Sequence, residues 1–222
     1  MIFLNIDYDY FFSSQEDVSI DKNKKKWTSS SNFFSKIDKS LILEKHCFLD
    51  HNKALYYWDR VVENNIHCIH IDAHHDLYAD ELIDWILPNK IRGSFIGVGN
   101  YLFKAFIEKK ISFITWIIPD WLDKEEALLD LTKYIGKGFI NRINIIYFSD
   151  LKEIKEKIYL TISISPEWIP NIVEEIPKIS NFLHEFNFCE KTINNLNVEI
   201  IKRVENKDFN ENALKYRFSF ID

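Results

Sequence analysis

The stretch CIHIDAHHDLY, Cys68–Tyr78, runs from an apolar, β-branched segment straight into Asp72, Ala73, His74, His75 and Asp76. Such a run, ending abruptly in ionisable side chains, reads as a strand buried on both faces. Four other runs share its composition: Ile2–Ile6, Ile111–Ile118, Ile143–Phe148 and Ile158–Ile164. Helical patterns fall between and after them, at Lys53–Asn64, Ala79–Leu87, Leu102–Lys110, Lys124–Ile135 and Ile169–Phe186. Leu122, Ala127, Leu128, Leu131 and Ile135 recur near every 3.6 residues, as one buried helix face requires. Pro170 fits a first turn, whereas Pro177 should kink or divide the last helix. Strands alternating with helices predict an α/β layer fold with a mainly parallel sheet.

The bulk composition narrows the class. A chain of 222 residues, 46% hydrophobic, suits one domain over 1–222 with a core rich in rings, given 18 Phe, 10 Tyr and 6 Trp. The net charge is −6 with both signs interspersed, so no basic stripe points to nucleic acid. A mildly acidic surface would tolerate a cationic substrate, although ordinary solubility is the better explanation of it. The N-terminus is apolar but carries Asp7 and Asp9 and no basic region, unlike a signal peptide. No apolar run nears the ~18 residues of a membrane span. Cys47, Cys68 and Cys189 are far apart, and the first two sit in apolar company, as buried thiols do. The expectation is a cytoplasmic protein with neither nucleic-acid nor membrane partner. Ser13–Asp38, polar and charged, reads as a mobile excursion.

In parallel α/β folds, ligands bind beyond the carboxyl ends of strands. Two acidic clusters fall there: Asp7-Tyr8-Asp9 after FLNI, and Asp72-Ala73-His74-His75-Asp76 after CIHI. If the backbone stays extended, alternation puts Asp72, His74 and Asp76 on one side with His75 turned away, and Asp7 with Asp9 opposite Tyr8. Four carboxylates converging without Lys or Arg repel one another, and a divalent cation removes that repulsion. Oxygen donors mixed with imidazole suit Mn²⁺, Zn²⁺ or Fe²⁺ better than Ca²⁺ or Mg²⁺. The competing reading is a pair of solvated strand ends. His51, just before a helical stretch, is either a surface residue or a further ligand. Glu167, in Ser165-Pro166-Glu167, is either a first-turn residue or one more carboxylate on the same rim. Gly93, Gly97 and Gly99 mark a loop where the backbone turns or approaches something closely, but their spacing is not a dinucleotide fingerprint.

Asp72-Ala73-His74-His75-Asp76 resembles the D-A-H-x-D motif of the ureohydrolases, the group of arginase and agmatinase. Asp50-His51 resembles the end of their G-G-D-H motif, and Asn5-Ile6-Asp7-Tyr8-Asp9 the core of S-x-D-x-D-x-x-D-P. The ordered set Asp7-Tyr8-Asp9-Tyr10-Phe11, Asp50-His51, His70-Ile71-Asp72-Ala73-His74-His75-Asp76, Gly99-Asn100-Tyr101-Leu102 and Ser165-Pro166-Glu167 is more similar to the bacterial peptide-arginase branch. The resemblance spans about residues 1–170. It implies an arginase-like three-layer αβα fold and a cofactor of two Mn²⁺ ions. His51 and Asp76 would hold one ion, His74 and Asp9 the other, and Asp72 and Asp7 would bridge them. The ions would activate water for attack on a guanidinium carbon, with Glu167 gripping the guanidinium. Substrate contact is implied for Glu167; Asn100 either touches substrate or caps the helix that follows it. The catalytic residues would be Asp76, Glu167 and His75, the last in place of an absent shuttle histidine. The partner would be an arginine-containing precursor peptide, converted to ornithine with release of urea.

The departures matter too. The D-x-D pair comes first in the chain, as in the peptide-modifying branch, whereas in arginases it follows D-A-H-x-D. Phe48-Leu49 replace the paired glycines, the later D-P is missing, and Leu102 stands where arginases carry their shuttle histidine. Two alternatives keep the metal: a ureohydrolase of a small guanidino compound, and a non-catalytic metal-binding protein. A haloacid-dehalogenase phosphatase, which also opens on a strand and D-x-D, leaves D-A-H-x-D unexplained.

Overall fold

The computed structural model describes residues 1–12, 34–78, 99–135, 137–166, 169 and 171–205. The helix expected at Ala79–Leu87, together with Gly93, Gly97 and Glu167, lies outside them. Two compact units, Met1–Ile164 and Ser165–Asp222, divide the chain.

In the first unit, β1 (Ile2–Asp7), β2 (Ile42–Phe48), β3 (Ile66–Ile71), β4 (Ile111–Ile118), β5 (Ile143–Tyr147) and β6 (Ile158–Ser163) form one sheet. Its order is β2-β6-β1-β3-β4-β5, and every pairing is parallel. This is the α/β architecture with a parallel sheet that the sequence predicts, consistent with a three-layer αβα fold. All six residues of β1 are buried, which explains why IFLNID is mostly apolar rather than alternating, with Asn5 and Asp7 its only polar side chains. The edge strand β2 escapes that pattern: ILEKHCF carries the charged pair Glu44-Lys45, and Leu43 and Glu44 are exposed.

One sheet face carries Phe3, Cys68, Ile114, Trp116 and Ile118. Against it pack α1 (Lys53–Trp58), α2 (Tyr101–Ile107) and α3 (Lys124–Tyr134) through Leu55, Trp58, Leu102, Phe106 and Leu131. Trp58 is fully buried, and its ring stacks on Phe3 at 4.8 Å. α1 is shorter than expected, ending at Trp58 rather than Asn64. Lys110, buried, donates from Nζ to the Val61 carbonyl and holds the turn that replaces the rest of the helix. α3 starts as its sequence demands: Asp123 accepts from the amides of Glu125 (2.8 Å) and Glu126 (3.2 Å), with acidic residues in the first turn and Lys133 in the last. A short α4 (Lys137–Ile140) leads into β5.

Of the excursion expected over 13–38, residues 13–33 lie outside the described residues. Residues 34–38 are tied down. Ile37 is buried and bridges Ile154, and Lys36 Nζ donates to the carbonyls of Phe148, Ser149 and Leu151. Cys68 is buried as expected, Cys47 is only partly so, and Cys189 is exposed; all three are free thiols. No helix among the described residues is long and apolar enough to cross a membrane.

The second unit contains α5 (Ile172–Glu185) and α6 (Glu190–Glu205), joined by a turn with Asn187 at φ 57°. Asn197 Nδ2 donates to Ser180 Oγ at 3.0 Å between them. Pro177 neither divides nor ends α5. Proline denies a hydrogen bond to the carbonyl four residues back, and that residue, Val173, is half exposed, so water can serve its carbonyl.

Candidate metal centre

The connections leave β1 and β3 in opposite directions: β1 leads to β2 on one side of the sheet, β3 to β4 on the other. This is a topological switch point, where the carboxyl ends of parallel strands open a crevice. Both acidic clusters lie at those two ends.

Each is built by a turn, not by the extended alternation expected from sequence. Asp7 closes β1 and caps the 3₁₀ turn Tyr8–Phe11 by accepting from the Asp9 amide at 3.4 Å. Asp72 follows β3 and accepts from the His74 amide at 2.8 Å. Aspartate favours this local bond to the amide two residues on, so D-x-D and D-x-H fold alike. Asp76 then takes φ 51°, uncommon for a residue with a Cβ, and its carboxylate lies 2.9 Å from His51 Nδ1. His51 enters from the segment before α1, whose first turn its carbonyl opens by accepting from Ala54 N at 2.9 Å.

The expected ligands Asp7, Asp9, His51, Asp72, His74 and Asp76 are thus brought together. His51 Nε2 contacts Asp7 Oδ2, and its Nδ1 lies 3.3 Å from Asp72 Oδ2. His74 Nδ1 stands 3.4 Å from Asp72 Oδ1 and 3.6 Å from Asp9 Oδ2. Among the described residues, three groupings have donor atoms close enough to hold a cation: Asp7–His51–Asp72, Asp9–Asp72–His74 and His70–Asp72–Asp76. Asp72 belongs to all three. His74, with 23% of its side chain exposed, marks the side from which solvent reaches the cluster.

The donor set fits a cation. Both Asp9 oxygens are buried without a hydrogen bond, and so is Ser163 Oγ, paired in register with Asp7. Unsatisfied buried oxygens of this kind are rare and costly, and a cation would serve them. Burial, with Asp7 and Asp72 nearby, raises the Asp9 carboxyl well above its ordinary value. Burial also raises Asp7, with Asp72 adding to it and His51 opposing. On His51 burial works downward, yet Asp7 and Asp76 lift the imidazole well above 6.5. On Asp72 burial works upward, but His51 and His74 hold the carboxyl well below its ordinary value.

Sequence reasoning missed His70. It occupies β3 two residues before Asp72, so both project to the same face, and that shared parity was the available signal. His70 is fully buried, which lowers its pKa. The structure does not bring His75 to the cluster. Its ring packs on Tyr78 (4.4 Å), Tyr134 (5.5 Å) and Trp116 (5.7 Å), Nδ1 accepts from Leu77 N, and Nε2 lies 3.5 Å from Asp130 on α3. Asn100 precedes α2 and is buried, but its side chain does not cap that helix. Gly99 explains its own composition: a Cβ there would meet the Tyr78 ring at 2.9 Å.

Trp116 secures the turn, donating from Nε1 to the Asp72 carbonyl at 3.0 Å. Trp116→Phe leaves that buried carbonyl unpaired and should cost about 1–3 kcal/mol of stability, measured by denaturant unfolding. Comparisons with protein-family models, curated proteins and solved structures found no match to this chain.

Proposed function

We propose that this chain is a metal-dependent hydrolase of guanidino C–N bonds, working with two divalent cations, Mn²⁺ foremost, on arginine side chains of a peptide. The observation that carries the reading is the buried cluster of four aspartates and two histidines around Asp72, at the switch point between β1 and β3. The order of motifs in the sequence, with D-x-D ahead of D-A-H-x-D, favours a peptide over free arginine.

In this reading His51 and Asp76 would hold one cation, Asp9 and His74 the other, and Asp7 and Asp72 would serve both. Bound cations would lower the pKa of water and so supply a nucleophile near neutral pH. Water adds its oxygen to the guanidinium carbon, and the bond from that carbon to the side-chain nitrogen breaks. Both protons of that water pass to the leaving nitrogen, which already holds one and so becomes the ornithine ammonium, and the carbon departs as neutral urea. Charge is conserved, one positive group being exchanged for another. The aspartates also favour a cationic side chain over a neutral one. Glu167 is proposed to hold the guanidinium by paired hydrogen bonds.

The test is mass spectrometry of arginine-containing peptides incubated with Mn²⁺-loaded protein, alongside a urea assay. The expected result is a loss of about 42 Da per modified arginine, the CH₂N₂ that leaves with water as urea. Urea from small guanidino compounds with peptides untouched would move the substrate to that class. Cations bound without any urea release would leave a binding protein.

The protons held in the cluster give this reading a pH signature. His51 and Asp9 bind protons more tightly in the metal-free fold than in the unfolded chain. The His51 contribution to metal-free stability is therefore full below 6.5 and lost as pH rises through its raised folded value. Asp9 acts in the same direction from 3.8 upward. Cations must displace these protons, so Mn²⁺ affinity should climb as pH rises above 6.5. Calorimetry in buffers of different ionisation enthalpy should show proton release on binding.

A further inference from the structure

His70 leaves the cluster ambiguous, because its Nε2 lies 3.3 Å from Asp72 Oδ2 and 3.8 Å from Asp76 Oδ2 and the three groups could share a cation. What stands behind the ring resolves it. Thr161, Asn5 and His70 lie side by side on β6, β1 and β3, in register and on one face. Thr161 Oγ1 donates to Asn5 Oδ1 at 2.7 Å. Asn5 Nδ2 meets His70 Nδ1 at 3.0 Å and donates to Tyr101 Oη at 2.6 Å. All four side chains are buried. The row lies one step beneath Ser163, Asp7 and Asp72 on the same three strands.

The chemistry of the partners fixes the proton. On the far side of the ring, Nε2 is 3.1 Å from the His74 carbonyl, which can only accept, so Nε2 carries hydrogen. A neutral imidazole has one such hydrogen, and Nδ1 is left to accept from the Asn5 amide. That fixes the amide orientation, with the Asn5 oxygen toward the Thr161 hydroxyl. A nitrogen carrying hydrogen has no lone pair for a metal. His70 instead grips the Asp72–His74 turn from its carbonyl side, while Asp72 Oδ1 grips it from the His74 amide.

We propose that Thr161, Asn5 and His70 are positioning residues: the row keeps His70 a donor to the Asp72–His74 turn and outside the metal shell. Partners behind a ligand, conserved in their hydrogen bonding, typically contribute about 10- to 100-fold in metal affinity. The metal role rests on the hydrolase reading above; the proton placement does not.

Two measurements test it. In metal-free protein labelled with ¹⁵N-histidine, long-range ¹H–¹⁵N correlation spectra should show His70 protonated at Nε2 and bare at Nδ1. A Nδ1–H ring or an imidazolium overturns the proposal. In Mn²⁺-loaded protein, electron spin-echo modulation should count two ligating imidazoles, those of His51 and His74; a third in the wild type overturns it as well.

Asn5→Asp offers the ring only acceptors. The variant should put a proton on Nδ1 while the His74 carbonyl still holds the one on Nε2, giving an imidazolium and leaving the imidazole count at two. If it folds by circular dichroism yet keeps a bare Nδ1, Asn5 does not set the ring and the proposal fails. Should it not fold, the wild-type spectra decide alone. Thr161→Val should weaken Mn²⁺ binding about 10- to 100-fold without altering the circular dichroism spectrum. A protein that binds no cation at all would sink the hydrolase reading, while the metal-free spectra would still decide the tautomer.

Discussion

Asp72→Ala should take the protein from about two bound cations per chain to none, as read by metal analysis after Mn²⁺ dialysis. The effect reaches far because, among the described residues, Asp72 is common to every grouping able to hold a cation. Alanine also removes the acceptor for the His74 amide, so the turn loosens along with the charge. Asp72→Asn separates the two effects. It keeps an oxygen for that amide and loses only the negative charge, and it too should fail to retain cations. His74→Ala touches one grouping alone and should leave about one cation bound. Equal losses from Asp72→Asn and His74→Ala would contradict a shared aspartate.

The second large effect is on stability. Metal-free, the cluster packs four buried carboxylates against one another, with neither carboxylate oxygen of Asp9 hydrogen-bonded. A cation bound only by the folded chain stabilises it by mass action, about 2.7 kcal/mol at a hundred times its dissociation constant. For a chain of this size that is a rise in melting temperature of roughly 5–10 °C. Chelator should abolish the rise, and Asp72→Ala should not show it. A melting temperature indifferent to Mn²⁺ across that concentration range would argue against a cation site in the folded protein.

Four of the six strands could be read directly because a parallel sheet buries its inner strands on both faces, leaving apolar runs such as IFLNI and ITWII. Of the two partly solvated edge strands, β5 could still be read from its isoleucines, whereas Glu44-Lys45 break the pattern of β2. α6 was legible in principle: Ile193, Leu196 and Ile200 are buried at helical spacing, but the Asn-rich sequence around them dilutes the signal. Asp7, Asp9, Asp72, His74 and Asp76 were legible as a site because ionisable groups at strand ends are conspicuous. Their convergence was expected from extended alternation and is achieved by two capped turns and a left-handed residue. His70 and Asn5 were hidden by position. Inside buried strands they look like interruptions of an apolar run, and only the register between β1 and β3 reveals that they meet.

That register has a further consequence. β1 and β3 are the third and fourth strands of six, hydrogen-bonded from Ile2 against His67 to Ile6 against Ile71. Their separation, about 4.8 Å, is dictated by backbone hydrogen bonding alone. The carboxylates hung on the two strand ends therefore behave like the jaws of a gauge whose frame is the middle of the sheet. Widening them by an ångström would mean unzipping the two central strands of the sheet. The socket is cut to length before any ion arrives, so amide exchange at Ile6 and Ile71 should remain among the slowest in the chain whether the socket is filled or stripped.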